Sequence, residues 1–216
     1  MNNSILENGL TQMNISFSND ILKKIDIYIN EILLFNSKFD LTNANDKNEI
    51  TIKHILDSLS IYNLIKFYSP KTIADIGTGV GFPGIPLAIF FPEISFTLID
   101  RSQKRISFLQ NSIAMLKMKN VELLCSDILN VNKKFDMIVS RALTDVNTKL
   151  LQTIYSYLNE NASIFFYKGK IEKTKSDMKK ISESLETRKI FTHLYPVIVP
   201  YLDSERCFLQ FSNFKI

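Results

Sequence analysis

Ala74-Asp75-Ile76-Gly77-Thr78-Gly79-Val80-Gly81-Phe82-Pro83-Gly84 is the stretch that decides the fold. The residues leading into it, 72–76, form a short apolar run, which reads as a buried strand, and residues 85–91 behind it read as a helix. Between them Gly77, Gly79 and Gly81 spell G-x-G-x-G. Glycine lacks a Cβ, so it takes positive φ readily and lets a ligand approach the backbone closely. The first strand–helix turn of an open parallel sheet is where ligands bind in such folds.

Working outward, the texture from Pro70 onward alternates. Residues 96–99, 121–125, 135–139 and 163–167 read as further strands, and 104–116 and 146–158 as helices between them. That rhythm predicts a parallel sheet with helices on both faces. Residues 192–199 and 206–211 read as two more strands joined by a short turn at 202–204. A turn that short requires an antiparallel pair, because parallel strands need a long crossover. Before Pro70 the pattern is helical. Ile21, Leu22, Ile25, Ile29, Ile32 and Leu33 recur at spacings of three and four, with Ser18 or Asn19 as N-cap. A polar loop at 42–48 follows, and then apolar positions from Ile52 to Ile65 that suggest one or two more helices. The expected fold is therefore α/β and Rossmann-like. It has a mostly parallel seven-stranded sheet, an antiparallel C-terminal hairpin and an N-terminal helical extension. Residues 1–69 form a helical cap and 70–216 the cofactor-binding domain.

Composition agrees with a globular chain. The 216 residues are 45% hydrophobic and 22% charged, and sixteen Phe and eight Tyr supply bulk where Trp is absent. The net charge of +4 permits a nucleic-acid partner without requiring one. With only His54 and His193, a His-rich metal site is excluded, and no metal is expected. Cys125 and Cys207 lie in apolar runs without zinc or redox spacing and read as reduced core thiols. The N-terminus has neither a basic n-region nor an apolar h-region, and apolar runs fall short of the roughly 18 residues of a membrane span. A cytoplasmic protein without membrane contact is expected, with a monomer as the simplest oligomeric state.

The loop leaves two cofactors to weigh. Gly79, Gly81 and Gly84 also spell G-x-G-x-x-G, the dinucleotide fingerprint. Asp100, ending the second strand, suits the ribose hydroxyls of either ligand. Two features favour S-adenosylmethionine (AdoMet). A pyrophosphate needs N–H donors at the helix start, and Pro83 and Pro86 each remove one there. A carboxylate at Asp75 suits the ammonium and sulfonium of AdoMet better than a pyrophosphate. After the third strand, Asp127 is placed either to accept from the adenine amino group or to cap the next turn, and Ile128 or Leu129 to pack on the ring.

The residues then resemble a family. Gly77–Leu87, GTGVGFPGIPL, is similar to the signature of the ribosomal RNA small-subunit methyltransferase G family, also called glucose-inhibited division protein B. Phe39-Asp40-Leu41-Thr42 resembles its "NLT" block and Lys53–Leu59 its "RHILDSL" block. Ser140-Arg141-Ala142 resembles "SRA", Tyr167-Lys168-Gly169 "LKG", and Asp203-Ser204-Glu205-Arg206 "DGER". The likeness spans essentially the whole chain, with departures at Asp40, where the family has Asn, and Ser204, where it has Gly. It implies methylation of N7 of one guanine in 16S ribosomal RNA, on RNA or the 30S subunit, with AdoMet as donor. It also implies a cofactor site at Gly77, Phe82, Ile128, Leu129 and Arg141, to which the fold logic above adds Asp75, Gly79, Asp100 and Asp127.

The chemistry fits a site without an evident base. Guanine N7 has a free lone pair and needs no deprotonation, so proximity and orientation carry the reaction. No catalytic residue is assigned, and Arg141 and Lys168, each following a strand at the carboxyl end of the sheet, are the candidates for orienting the substrate. Arg141 can bind the AdoMet carboxylate, a phosphate or guanine O6, or it can pair with a structural carboxylate. His54 and Asp57 share one helical face and are placed to orient the cap over the cofactor, although a helical His is also a common core hydrogen-bonder. Cys125, on a buried strand, is a poor nucleophile. Lysines along 169–189 read mainly as a solvated helix with interleaved acids. Arg101, Lys104, Arg105, Lys117 and Lys119 form a second basic group near the cofactor edge. Three further readings stay open at this level: a methyltransferase of a small molecule or protein, an NAD-binding oxidoreductase, and a non-catalytic RNA-binding protein.

Overall fold

The structure, a computed structural model, describes residues 4–39, 46–141, 148–184 and 191–212. Its centre is β1, Thr72–Ile76, nearly all buried, as a strand covered on both faces must be. It pairs in parallel with β2, Ser95–Asp100, on one side and with β4, Phe135–Ser140, on the other. β3, Val121–Cys125, lies outside β2, and β5, Leu158–Lys168, outside β4, both parallel. β7, Arg206–Ser212, then runs antiparallel between β5 and β6, Phe191–Val197. The order is β3-β2-β1-β4-β5-β7-β6. Strand order reverses between β1 and β4, so the crevice of an open α/β sheet opens at their carboxyl ends.

One face of the sheet is covered from the N-terminal side. The helices α1, Ser4–Gln12, and α2, Asn19–Phe39, come first, and Ser18 Oγ accepts the N–H of Ile21 as the N-cap of α2. Ile25, Tyr28, Ile29 and Ile32 of the α2 stripe are 0% exposed. Burying side chains of this size stabilises by about 1.5–3 kcal/mol each. A second helical stretch follows. It starts as α3, Lys47–Ile50, widens into a π-helical segment, Thr51–Leu56, and resumes as α4, Asp57–Leu59. The helix α5, Tyr62–Tyr68, leads to β1. These helices share one hydrophobic cluster with α6, Gly84–Phe90, with α7, Gln103–Leu116, and with the sheet residues Ile73, Phe96 and Leu98. The opposite face carries α8, Thr148–Ser156, and α9, Ile171–Ser184, packed through Leu151, Ile154 and Ile181. The N-terminal helices and the sheet thus have a common core.

The structure changes three expectations. Strand β5 begins at Leu158, immediately after α8, rather than at 163. The connection between β6 and β7 spans 198–205, longer than a turn at 202–204, and Tyr201 within it has φ 65. Cys125 is exposed, not a core thiol, because β3 is the edge strand and only part of its surface is covered. Cys207, on the internal strand β7, is buried. The block at 39–42 falls almost entirely outside the described residues. No described helix is long and apolar enough to cross a membrane.

Candidate active site

The glycine loop is built from its own amides. Gly77, Gly79 and Gly81 have φ 71, 62 and 101, the left-handed region in which a Cβ is strained. The N–H groups of Gly77 and Thr78 donate to Ile99 O at 2.9 and 3.1 Å. Those of Gly81 and Phe82 donate to Thr78 O, and that of Ile85 to Gly81 O. Gly79 N donates to Asp100 Oδ2 at 3.0 Å, and Gly84 N to Asp75 Oδ2 at 2.8 Å. Pro83 has no N–H to give. Apart from Val80, the loop therefore spends its donors on Ile99 O, on its own carbonyls and on its two carboxylates, and a pyrophosphate would not find a cradle of free amides here. A Cβ on Gly79 would meet nothing within 4 Å, so the loop backbone there borders open space.

Asp75 is corrected by this geometry. A direct contact to a ligand ammonium was expected, but the side chain is 0% exposed. Its Oδ2 accepts from Thr78 Oγ1 at 2.7 Å as well as from Gly84, while Oδ1 is buried without a partner among the described residues. Burial holds its carboxyl up at about 6, against the lowering pull of the two hydrogen bonds. In this structure its contacts are to the loop itself. Gly84 is tied to it sterically, since a Cβ there would lie 2.2 Å from Leu98 and 2.8 Å from Asp75 Oδ2. Asp100, at the end of β2, is also nearly buried. It accepts from Gly79 N, from Ser102 N at 2.9 Å and from Arg105 Nη1 at 3.3 Å. Asp127 is exposed beside a 3-10 turn, Ile128–Asn130, and Ile128 is half-buried, its carbonyl accepting from Tyr157 Oη at 2.7 Å. The side chain of Leu129 lies outside the described residues.

Register places Arg141 beside this loop. Val139 of β4 is level with Asp75 of β1, Ser140 Oγ donates to Ile76 O at 2.8 Å, and Arg141 follows where β4 ends. Its guanidinium lies over the Phe82 ring, 5.0 Å from the centroid. His54 stacks on the same ring, centroids 4.7 Å apart and planes 10° apart. Arg141 Nη2 contacts His54 Nδ1 at 3.0 Å, and Nη1 donates to Asp57 Oδ2 at 3.2 Å and to Lys53 O at 3.4 Å. The pairing with a carboxylate is thus the contact Arg141 makes in this structure. Burial, then the Arg141 charge, lowers the His54 pKa to about 4, so the ring is neutral near pH 7. The widened turn of the π-helical segment, a feature frequent at functional sites, carries Lys53 and His54 to this point.

A cleft of about 390 Å³ opens beside this cluster. Lys53, His54 and Asp57 line it from the helical stretch, Arg141 from β4, Lys168 from the end of β5, and Ser204 and Arg206 from the approach to β7. The blocks around residues 54, 141, 168 and 205 are far apart in sequence and meet here. Sequence reasoning had not assigned Arg206. Its Nε donates to Asp57 Oδ1 at 2.9 Å, and its Nη1 to Ser204 Oγ at 3.0 Å and Glu205 O at 2.9 Å. Ser204, a departure from the family pattern, supplies an acceptor that glycine lacks. Tyr28 was also missed. Its hydroxyl donates to Val80 O at 2.5 Å and its ring meets Phe82 edge-on, which anchors the loop to α2. The signal was a polar tip on an otherwise apolar helical stripe.

The two basic groups separate. Arg105 sits beside the glycine loop, bound to Asp100. Lys117 and Lys119 follow the far end of the fourteen-residue α7, about 21 Å away at 1.5 Å per residue, and line a different depression at the amino end of β3. Within α9, Lys175 pairs with Glu172 on a solvated surface. Among the described residues no group of His, Cys, Asp and Glu is placed to hold a metal ion.

Comparison with known proteins identifies the family and the fold. The family model described as rRNA small subunit methyltransferase G matches residues 21–198. A ribosomal RNA small subunit methyltransferase G of Treponema denticola is 33% identical over 95% of this chain and 92% of its own length. One from Borrelia turicatae is 35% identical over 83% of this chain and 86% of its own. Among solved structures, the plantazolicin methyltransferase BpumL, in complex with SAH, aligns over 90% of this chain and 99% of its own. Its TM-score is 0.59 at 17% identity, a likeness of fold. A putative caffeoyl-CoA O-methyltransferase from Staphylococcus aureus aligns over 85% and 91% with a TM-score of 0.56 at 16% identity.

Proposed function

This chain belongs to the rRNA small subunit methyltransferase G family, and on that premise we propose that it methylates N7 of one guanine in 16S ribosomal RNA, with AdoMet as donor, on the RNA or the 30S subunit in the cytoplasm. The observation that carries this reading is the convergence of four distant segments on one cleft beside the glycine loop. Among the described residues that cleft has four cationic side chains, Lys53, Arg141, Lys168 and Arg206, against the single carboxylate of Asp57, a balance suited to a polyanion.

The loop fits AdoMet better than a dinucleotide, because all but one of its amides are already engaged and AdoMet brings no phosphate. When bound, AdoMet supplies an electrophilic methyl group. Gly77, Gly79 and Phe82 would hold it at the loop, with Asp75 acting from behind. Asp100 would receive the ribose, since a carboxylate has lone pairs to spare beyond the bonds it makes here. Asp127, Ile128 and Leu129 would meet the adenine. Arg141 and Lys168 would orient the target base and its phosphates. The chain needs no general base: N7 is nucleophilic as it stands, and His54, neutral at pH 7, serves as a stacking and hydrogen-bonding wall. The enzyme's task is to orient and to exclude water.

The test is incubation with labelled AdoMet and 30S subunits lacking the modification, followed by N7-specific strand cleavage. Label at one guanine of 16S RNA is expected, and an unlabelled 16S RNA would overturn the reading. Calorimetric titration should show AdoMet binding and no NAD binding.

A further inference from the structure

Asp57 is where two arginines from different parts of the chain meet. It opens α4, directly after the π-helical segment, and its side chain is 4% exposed. Each oxygen serves one partner, Oδ2 the Nη1 of Arg141 and Oδ1 the Nε of Arg206. Tyr167 Oη donates to Ser58 O at 2.7 Å, which ties the next residue of α4 to β5. Beyond Asp57 the two guanidiniums diverge. Arg141 turns to His54 and the Phe82 ring of the glycine loop. Arg206 turns to Ser204 and Glu205, and its Nη2 makes no hydrogen bond among the described residues.

Charge alone does not account for this carboxylate. A cleft that had only to attract RNA would gain by losing the Asp57 carboxylate, and burying a charge costs desolvation. What the carboxylate supplies is geometry. Two separately bound guanidiniums have fixed spacing and orientation, and they stand on the loop side and the outer side of one cleft.

We propose that Asp57 is a positioning residue for methyl transfer. By sharing its oxygens between Arg141 and Arg206, it holds the cofactor-side and RNA-side walls of the cleft in register. The inference rests on the rRNA methylation reading above. Arg141 keeps its contacts to Lys53 O, His54 and Phe82 without Asp57, so the carboxylate acts on alignment of the RNA rather than on cofactor affinity.

The experiment compares wild type, Asp57→Asn and Asp57→Ala in methylation of 30S subunits, with AdoMet affinity, 30S affinity and melting temperature measured on the same preparations. A misplacement of about 1 Å can cost on the order of 100-fold in rate, so kcat should fall about 10- to 100-fold. AdoMet affinity should be nearly unchanged, and 30S affinity unchanged or tighter, since a negative charge is gone. A merely structural role would instead lower kcat only as far as the folded fraction falls. Arg206→Lys supplies a second, independent readout. It should slow wild type by losing the Nε contact, yet add little to Asp57→Asn, where alignment is already lost. Wild-type kcat in both Asp57 variants would overturn the proposal. So would a kcat loss that vanishes well below the melting temperature, or losses that multiply in the Asp57→Asn, Arg206→Lys double variant. A wild-type protein that leaves 16S RNA unlabelled would instead overturn the functional reading and take this inference with it.

Discussion

The glycine loop and the cleft beside it are two ways of building a site. In the loop, the amides between Gly77 and Ile85 are satisfied mostly within a dozen residues, with Ile99 and Asp100 of the next strand as the outside partners. In the cleft, Asp57 reaches partners 84 and 149 residues away. Two of the buried carboxylates, Asp75 and Asp57, show the same contrast. Asp75 is held by neutral donors, Thr78 and Gly84, and burial pushes its pKa up. Asp57 is held by two guanidiniums. A contiguous motif makes a backbone shape, whereas distant segments make a charged surface whose arrangement depends on the whole fold.

The comparison can be broken by perturbing each side. The largest effect is expected from Gly77→Asp, which forces a side chain at φ 71 and puts a negative charge into the loop. Calorimetry should find no AdoMet binding in a protein that still folds, and unchanged affinity would show that the loop is not the cofactor site. On the cleft side, Arg206→Ala removes charge-assisted hydrogen bonds worth about 1.5–3 kcal/mol, roughly 10- to 100-fold in kcat/KM, with AdoMet affinity kept. Equal damage to AdoMet affinity would mean that loop and cleft are not separable.

Smaller effects separate packing from strain within the loop. Gly84→Ala drives a methyl into Leu98 and Asp75 and should destabilise by about 1–3 kcal/mol in urea denaturation. Gly79→Ala faces open space and pays only for its left-handed backbone, about 1 kcal/mol. A reversed ranking would put the loop's constraint in its backbone rather than in Asp75.

The last effect is conditional, since it shows only in pH dependence. Asp75, raised to about 6, contributes stability that is present below its ordinary 3.8 and lost as pH rises through 6. His54, lowered to about 4, contributes stability present above 6.5 and lost as pH falls toward 4. The two oppose each other over the same window. His54→Gln lacks the second contribution, so its melting temperature should gain on wild type as pH falls from 6.5 to 4. Parallel curves would refute the burial of a neutral His54.

Much of this molecule was legible from sequence, for local reasons. β1 and β3 have the limits read from their apolar runs, and the hairpin pairing followed from a connection too short for a crossover. The long β5 was read short because its first residues, Asn159, Glu160 and Asn161, are polar and break the pattern that marks a strand. Cys125 was read as buried because an apolar run does not tell an edge strand from an internal one. Lys117 and Lys119 were grouped with Arg105 by proximity in the chain, although a helix of fourteen residues carries them to the other end of the sheet.

By itself, then, the sequence determined the strand–loop–helix unit at Gly77, the alternation that makes the sheet, and the family to which the chain belongs. These depend on backbone preferences and on spacing along the chain, which act between near neighbours. Only the tertiary structure decided that Asp75 faces inward to its own loop, that His54 is stacked and neutral, and that one carboxylate at Asp57 serves both Arg141 and Arg206. Those outcomes depend on which strands lie side by side. With β4 next to β1, and β7 between β5 and β6, residues without proximity in sequence share a single buried charge.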